Sequence, residues 1–387
     1  MKPWLAVLPA LALCACAPRV APVDSRADFM RGADVSSLPR TEAFGGVFTD
    51  GGKPRDALAI LRDHGLSWVR LRVFVKPDGL WGAREDLPSM VALAGRAKAM
   101  GFRIMLTIHC SDTWADPGNQ SKPAAWKDLP FPQLVEEVRR YTSGVARAFR
   151  EGGAVPDMFE IGNEVTGGML WPDGKLWGDG AGGWDRFVAL ERAGENGIRE
   201  ALGVEPRFLY HIDNIDKAEW HLTELGKRGF RVRLLGISYY PWLHGGLADL
   251  SRNLASVSGR HGLGILVVET VYPWTERYLD SWGNIFDGDP KRLPDGFPMT
   301  PEGQASFTEA LVRTVREVPG GRGVGVVWWE PTWLAVPGAR DYLSGEMANH
   351  DGKGGKLPAY GSCVENVCLF DDKGAALPAL DALGRGR

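Results

Sequence analysis

The chain has 387 residues, of which 45 are basic and 48 acidic, for a formal net charge of −3. That balance, with no basic stripe along the sequence, excludes the electrostatic footprint of a nucleic-acid binder. Hydrophobic residues at 44% and charged residues at 24% exclude extended disorder and a coiled coil. No internal apolar run reaches the roughly 20 residues that a membrane span needs. The 50 Gly and 26 Pro imply many loops, and the 15 Trp hint at carbohydrate, because sugar rings stack on flat aromatic surfaces.

Residues 1–17 read as a signal peptide, with Lys2 as a minimal positive region and an apolar stretch to Leu13. Leu13-Cys14-Ala15-Cys16 resembles a bacterial lipobox with Cys16 as the lipidated residue; cleavage around Ala15-Cys16-Ala17 as an ordinary secretory site is the alternative. Residues 18–28 read as a flexible tether. Both readings place the mature protein outside the cytoplasm, as a membrane-anchored lipoprotein or a secreted protein. Cys363 and Cys368 lie five residues apart in a loop-like segment and are candidates for a small disulfide in that compartment, with Cys110 left as a buried small side chain.

From residue 29 to residue 387 one pattern repeats: a short apolar run, a Gly/Pro/Asp-rich loop, an amphipathic helix. Strands are expected at 29–35, 68–73, 103–108, 158–161, 208–212, 234–238, 265–269 and 324–328. Helices are expected at 56–64, 89–100, 133–150, 184–202, 217–227, 247–260 and 301–317. The first four should stop at Gly65, Gly101, Gly152 and Gly203, because glycine accepts the left-handed conformation past a helix end. Thr300-Pro301 reads as an N-cap followed by proline at the first helical position. Eight such units predict one α/β domain, a (β/α)8 TIM barrel, with the excess length in loops 110–132, 165–183 and 271–298. No Gly-x-Gly-x-x-Gly follows the first strand, which argues against a dinucleotide fold.

A parallel barrel carries its active site at the C-terminal strand ends. Strand four ends in Asn163-Glu164 and strand seven in Glu269. Two carboxylates facing each other across a barrel mouth are what glycosidic cleavage needs: one protonates the leaving oxygen, the other attacks the anomeric carbon or activates water. Asn163 is placed to hydrogen-bond a sugar 2-hydroxyl. Arg70 and Arg72 share one face of strand two, and one of them can hold Glu269 ionised. Glu164 must start each turnover protonated, so its surroundings should raise its pKa. Glu160 and Glu191 read as structural, and Glu330 as a possible border of the site. The seven His show no zinc-like spacing.

These residues carry a family likeness. The segments around Gly32-Ala33-Asp34, Ser111-Asp112-Thr113-Trp114, Gly162-Asn163-Glu164, Ser238-Tyr239-Tyr240-Pro241, Val268-Glu269-Thr270 and Trp329-Glu330-Pro331 make the chain resemble the arabinogalactan endo-β-1,4-galactanases of glycoside hydrolase family 53, over about residues 32–380. The resemblance implies retaining, endo-acting hydrolysis of β-1,4-galactan, with Glu164 as acid/base and Glu269 as nucleophile. It implies a groove with Trp114, Trp171, Tyr240, Trp274 and Trp329 as aromatic platforms. Asp34, His109, Asp112, Asp213 and His244 would add polar contacts to substrate. Expected partners are galactan or galacto-oligosaccharides, to a monomeric enzyme needing no cofactor. Rival readings are another β-glycanase or β-galactosidase on the same barrel, and a galactan-binding lipoprotein without catalysis.

The sequence departs from the family in three places. A bacterial calcium-binding loop of type Asp-x-Asp-x-His-x-Asn is represented by residues 278–284, where only Asp280 and Asn284 remain as weak calcium candidates. Packing of Tyr278 and Trp282 would replace the ion. Cys110 stands in place of an aromatic residue, with a changed wall near the site as the expected effect. Gly167 stands in place of Asn, with loss of a polar contact beside Glu164 as the expected effect.

Overall fold

The computed structural model describes residues 29–336, 349–358 and 360–386. Residues 1–28, with the candidate lipobox, lie outside the described residues. Eight parallel strands close into a barrel: β1 (Met30–Asp34), β2 (Trp68–Val73), β3 (Arg103–Ile108), β4 (Met158–Ile161), β5 (Phe208–Ile212), β6 (Leu234–Tyr239), β7 (Gly264–Thr270) and β8 (Gly323–Trp328). Each neighbours its sequence neighbour, and β1 pairs with both β2 and β8. The TIM-barrel expectation therefore holds, with every strand within a residue or two of its expected bounds.

Side-chain alternation divides the barrel. Val69, Leu71 and Val73 of β2, like Phe159 and Ile161 of β4, face the helices and join the large outer core. The inward positions form two layers. The lower one is apolar, made of Met30, Trp68, Met105, Met158, Leu209, Leu234 and Leu266. The upper one is polar and buried: Asp34, Arg70, Arg72, Thr107, Glu160, His211 and Ser238. The same strands thus supply a hydrophobic plug below and a charged floor above.

The surrounding helices follow the sequence reading closely, for example Ala57–Asp63 capped by Asp56, Gly183–Leu202 ended by left-handed Gly203, and Pro301–Arg316 capped by Thr300, whose Oγ1 accepts from Gly303 N at 3.1 Å. Some details differ. After Phe131–Glu151, Gly152 has φ −74°, and Gly153 makes the left-handed turn at +68°. The helix expected from 217 begins at Ala218, after a 3-10 turn over Ile215–Lys217. The short helices Leu38–Ala43 and Ala379–Arg385 were not expected. Nor was the long segment after β8, which returns Glu365 and Cys363 to the barrel top.

The expected disulfide is absent. Cys363 and Cys368 are both free, separated by a 3-10 turn over Glu365–Val367 that sends them to different places. Cys368 Sγ turns into the core, 3.3 Å from Trp333 O, while Cys363 lines the cleft described below.

Close strand approach makes one glycine testable. A Cβ on Gly325 would sit 2.3 Å from Met30 O and 2.5 Å from Met30 Cβ. Gly325→Ala should cost about 1–3 kcal/mol through overpacking. Gly259→Ala, in the helix Leu247–His261 with nothing within 4 Å, should gain about 0.5–1 kcal/mol. Denaturant unfolding of both variants checks the contrast.

Candidate active site

A cavity of about 350 Å³ opens at the C-terminal end of the strands, lined by Arg70, Arg72, His109, Trp114, Asn163, Glu164, Asp213, Tyr240, His244, Glu269 and Trp329. These are sequence-expected residues, and the barrel brings them together. Trp81, Asp116, Leu243, Ile285 and Cys363 also line it and were missed. They come from loops whose path no periodicity reveals. Trp81, Leu243 and Ile285 are exposed apolar side chains, so they form the rim.

Arg70 is the hub. Its guanidinium donates to Glu269 Oε1 at 2.5 Å, to Asp34 Oδ2 at 3.2 Å, to Glu160 Oε1 and Oε2 at 2.9 and 3.2 Å, and to Asn163 Oδ1 at 2.7 Å. Glu269 Oε2 accepts from Tyr240 OH at 2.9 Å. Both oxygens of Glu269 are therefore fixed by donors. A shift in strand pairing between Ile237 and Ser238 skips Val268, so Ser238 stands beside Glu269. Val268 belongs to the barrel interior. Strict alternation would turn the next residue outward, and the bulge lets Glu269 reach the mouth instead.

Arg72 serves a second group. It donates to Asp34 Oδ1 at 3.3 Å, to Glu85 Oε1 at 2.8 Å and to Glu330 Oε1, and it lies 4.5 Å from the centre of the Trp114 ring. The two arginines face five carboxylates, Asp34, Glu85, Glu160, Glu269 and Glu330. Two cations cannot neutralise five anions in a buried space, so protons must remain. Burial raises the Asp34 carboxyl, and burial raises Glu330 to about 8, each against the pull of Arg72. Burial also opposes ionisation of Glu160, but Arg70 and His211 outweigh it and hold Glu160 down at about 2.

Glu164 has the opposite environment. Burial, and next the charge of Glu269, push its carboxyl well above the usual range. No hydrogen bond joins it to Arg70 among the described residues. Ser238 Oγ lies 2.5 Å from Glu164 Oε1 and 3.0 Å from His211 Nε2, and His211 Nδ1 lies 2.8 Å from Glu160 Oε1. A continuous polar chain thus joins Glu160 to Glu164. Glu164 has φ +47°, and the left-handed non-glycine residues Cys110 and Glu330 likewise follow the ends of β3 and β8. Such conformations cost roughly 1–3 kcal/mol each and cluster where side chains are aimed for function.

Asn163 Nδ2 donates to Ala115 O at 2.7 Å, and Gln120 Nε2 donates to Asn163 O at 2.8 Å. Gln120 was not singled out in the sequence. His109 Nδ1 accepts from Ala115 N at 3.1 Å, and His244 Nδ1 from Tyr240 N at 3.0 Å, so each neutral ring carries its proton on Nε2.

Several expectations change. Asp34 is buried beneath the cleft, accepting from Ser36 and both arginines. Asp112 holds loops together by accepting from Lys76 N at 2.9 Å and Ala124 N at 2.8 Å. Trp274 bonds Glu365 O at 3.0 Å, and Trp171 bonds Gly167 O at 3.0 Å. None of these four lines the cavity. Cys110 is buried outside it, so it does not form the expected wall. A Cβ on Gly167 would meet the Trp171 ring at 2.8 Å, which explains glycine there. Glu191 is buried on its helix, where burial raises it well above the usual range. Glu330 lies under the site, bonded to Arg72 and Ser37.

In the 278–284 loop, Trp282 is buried but Tyr278 is exposed, so only the first packs. Asp280 Oδ1 accepts from Trp282 N at 2.6 Å and Oδ2 from Ser362 N at 2.8 Å. Glu365 Oε1 accepts from Leu279 N at 2.5 Å, and burial raises Glu365 to about 7. Glu365 Oε2 and Asn284 Oδ1 are buried oxygens without a partner among the described residues. Calcium takes six to eight oxygens. No group of three or more His, Cys, Asp or Glu that could hold a metal occurs among the described residues.

A closed parallel barrel whose aromatic cleft holds two carboxyls, Glu164 raised by burial and Glu269 bonded to Arg70 and Tyr240, defines a barrel glycoside hydrolase. Residues 30–383 match the family described as Glycosyl hydrolase family 53, and the chain belongs to that family. It is 36% identical to a Niallia circulans protein described as "Uncharacterized protein in bgaB 5'region", over 92% of this chain and 94% of that one. It is 29% identical to the arabinogalactan endo-beta-1,4-galactanase of Cellvibrio japonicus, over 96% and 95%. The solved family 53 catalytic domain of Ignisphaera aggregans superposes with a TM-score of 0.80 at 35% identity, over 92% and 95%.

The carboxyl environments predict a pH signature. The folded Glu164 pKa lies above the 4.5 of a free side chain. The unfolded chain therefore loses this proton first as pH rises, and the parent loses stability from about pH 4.5 up to the folded pKa. Glu164→Gln removes that term. Its stability advantage over the parent should grow by up to about 1.4 kcal/mol per pH unit above that point and vanish below it. Unfolding free energies across pH test this; a constant difference contradicts it.

Proposed function

We propose that the protein hydrolyses β-1,4-galactosidic linkages inside type I arabinogalactan, with retention of configuration. The observation that carries the reading is the family 53 match over nearly the whole barrel, together with Glu164 and Glu269 lining one cleft.

Glu269 attacks the anomeric carbon, and the bond to the leaving oxygen breaks as Glu164 delivers its proton there. Arg70 and Tyr240 aim the attacking carboxylate. Once Glu269 is esterified its charge is gone, so the electrostatic part of the Glu164 shift disappears. The new Glu164 carboxylate can then take a proton from water, whose oxygen displaces Glu269 and regenerates both groups. The second hydrogen of Asn163 Nδ2, beyond the one given to Ala115 O, is available to a sugar 2-hydroxyl. Trp114, Trp329 and the rim Trp81 offer faces for sugar rings.

The site needs no metal in this reading, and the protein works as a monomer. The 1–17 pattern supports an extracytoplasmic placement with Cys16 as the lipid acceptor. Fatty-acid labelling that disappears in Cys16→Ser supports the anchor, and an unlabelled parent overturns it.

Digestion of β-1,4-galactan should give a ladder of short oligosaccharides, with the β-anomer formed first by NMR. Exclusive release of monomer, or an initial α-anomer, contradicts the endo-acting or retaining reading respectively. Glu269→Gln should lose at least about 10³-fold in kcat. Glu164→Gln should lose about 10²–10⁴-fold on galactan, and far less on an aryl galactoside whose leaving group needs no proton. Ser238→Ala should lose about 10- to 100-fold with the same dependence on leaving group, because Ser238 positions Glu164. Equal losses on both substrates would assign Ser238 a merely structural role.

A further inference from the structure

The opposite end of the barrel carries a larger concavity, of about 1150 Å³, that the hydrolysis does not use. It lies at the N-terminal ends of the strands, around Met30, Trp68, Phe208, Leu234 and Gly264. Its wall holds Arg103, Arg207, Arg231, Arg233 and Arg322. The first four are exposed and Arg322 is half-buried. The carboxylates there do not balance Arg231, Arg233 and Arg322. Glu195 and Glu205 are taken by Arg199, at 2.8 and 2.9 Å, and buried Glu191 is pushed toward its neutral form. A chain of net charge −3 thus gathers positive charge on one face.

Helix macrodipoles explain cations near helix C-termini only where the side chains reach the last carbonyls. Arg192 does so, donating to Arg228 O at 2.5 Å. The guanidiniums of Arg231, Arg233 and Arg322 have no hydrogen bond or ion pair among the described residues.

The direction of the chain identifies the occupant. β1 starts at Met30, which lines the concavity, so Phe29 lies at this same end of the barrel. Cys16 stands about thirteen residues earlier, a reach of at most about 45 Å. We infer that this face docks on the anionic headgroups of the membrane in which Cys16 is anchored, leaving the catalytic cleft turned away toward substrate. The inference rests on the lipid-anchor reading above. Each arginine near an anionic surface strengthens partitioning roughly 5-fold, and three together on the order of 100-fold.

The test is sedimentation of the purified full chain with vesicles of phosphatidylglycerol and phosphatidylcholine, against vesicles of phosphatidylcholine alone. An acyl chain on Cys16 adds equally to both. The parent should prefer the anionic vesicles at low salt and lose that preference at high salt. The variant R231Q/R233Q/R322Q should lose it on the order of 100-fold, while galactan hydrolysis, read in parallel as a control of folding, stays unchanged. Equal binding to both vesicles, or an undiminished preference in the variant, overturns the docking. So does a thermal shift with inorganic phosphate that depends on these arginines while vesicles show no preference, because the concavity would then serve a dissolved anion. A protein that fails to cleave galactan but keeps the vesicle preference removes only the hydrolytic reading.

Discussion

The Arg70 guanidinium is the point on which the upper half of the barrel depends. It joins β1, β4 and β7 through Asp34, Glu160 and Glu269, and it holds the side chain of Asn163, the residue before Glu164. A buried cation with this many partners is weak evidence of net stability, because desolvation cancels much of the attraction. Its use is positional. Removing it would leave several carboxylates facing one another without compensation, so the charged floor and the cleft geometry stand or fall together.

The same asymmetry divides the chemistry. Glu269 has Arg70 and Tyr240; Glu164 has Ser238, burial and the repulsion of Glu269. The raised Glu164 carboxyl is the property that the proposed acid needs. Glu330 and Asp34 show the cost of the arrangement. They share Arg72 with Glu85, and their raised pKa values keep the floor from carrying its full formal charge.

The barrel was legible because alternating apolar strands, helices and glycine stops are local signals, and the strand-end carboxylates follow once the barrel is accepted. The cleft was half legible. Arg70 lies within β2, while Glu164, Glu269, Tyr240 and Trp114 end or follow strands, and all five came together as expected. Asp112, Trp171 and Trp274 have the right chemistry, but loop paths turn them to backbone partners. Trp81, Leu243 and Ile285 have no sequence signal, because only the folded loops bring them to the rim. The Cys363–Cys368 spacing misled for the same reason: a turn between two cysteines sets their directions, and spacing does not. The arginine-lined face was invisible as a stripe because four separate connections each contribute one or two residues to it.

The account depends most directly on the electrostatic coupling of Glu164 to Glu269. ¹³C-detected titration of the Glu164 carboxyl, in the parent and in Glu269→Gln, measures that coupling. A Glu164 pKa well above 4.5 in the parent that falls when the Glu269 charge is removed is the predicted result. A Glu164 that titrates like a free carboxyl, or whose pKa is the same in both proteins, would contradict it.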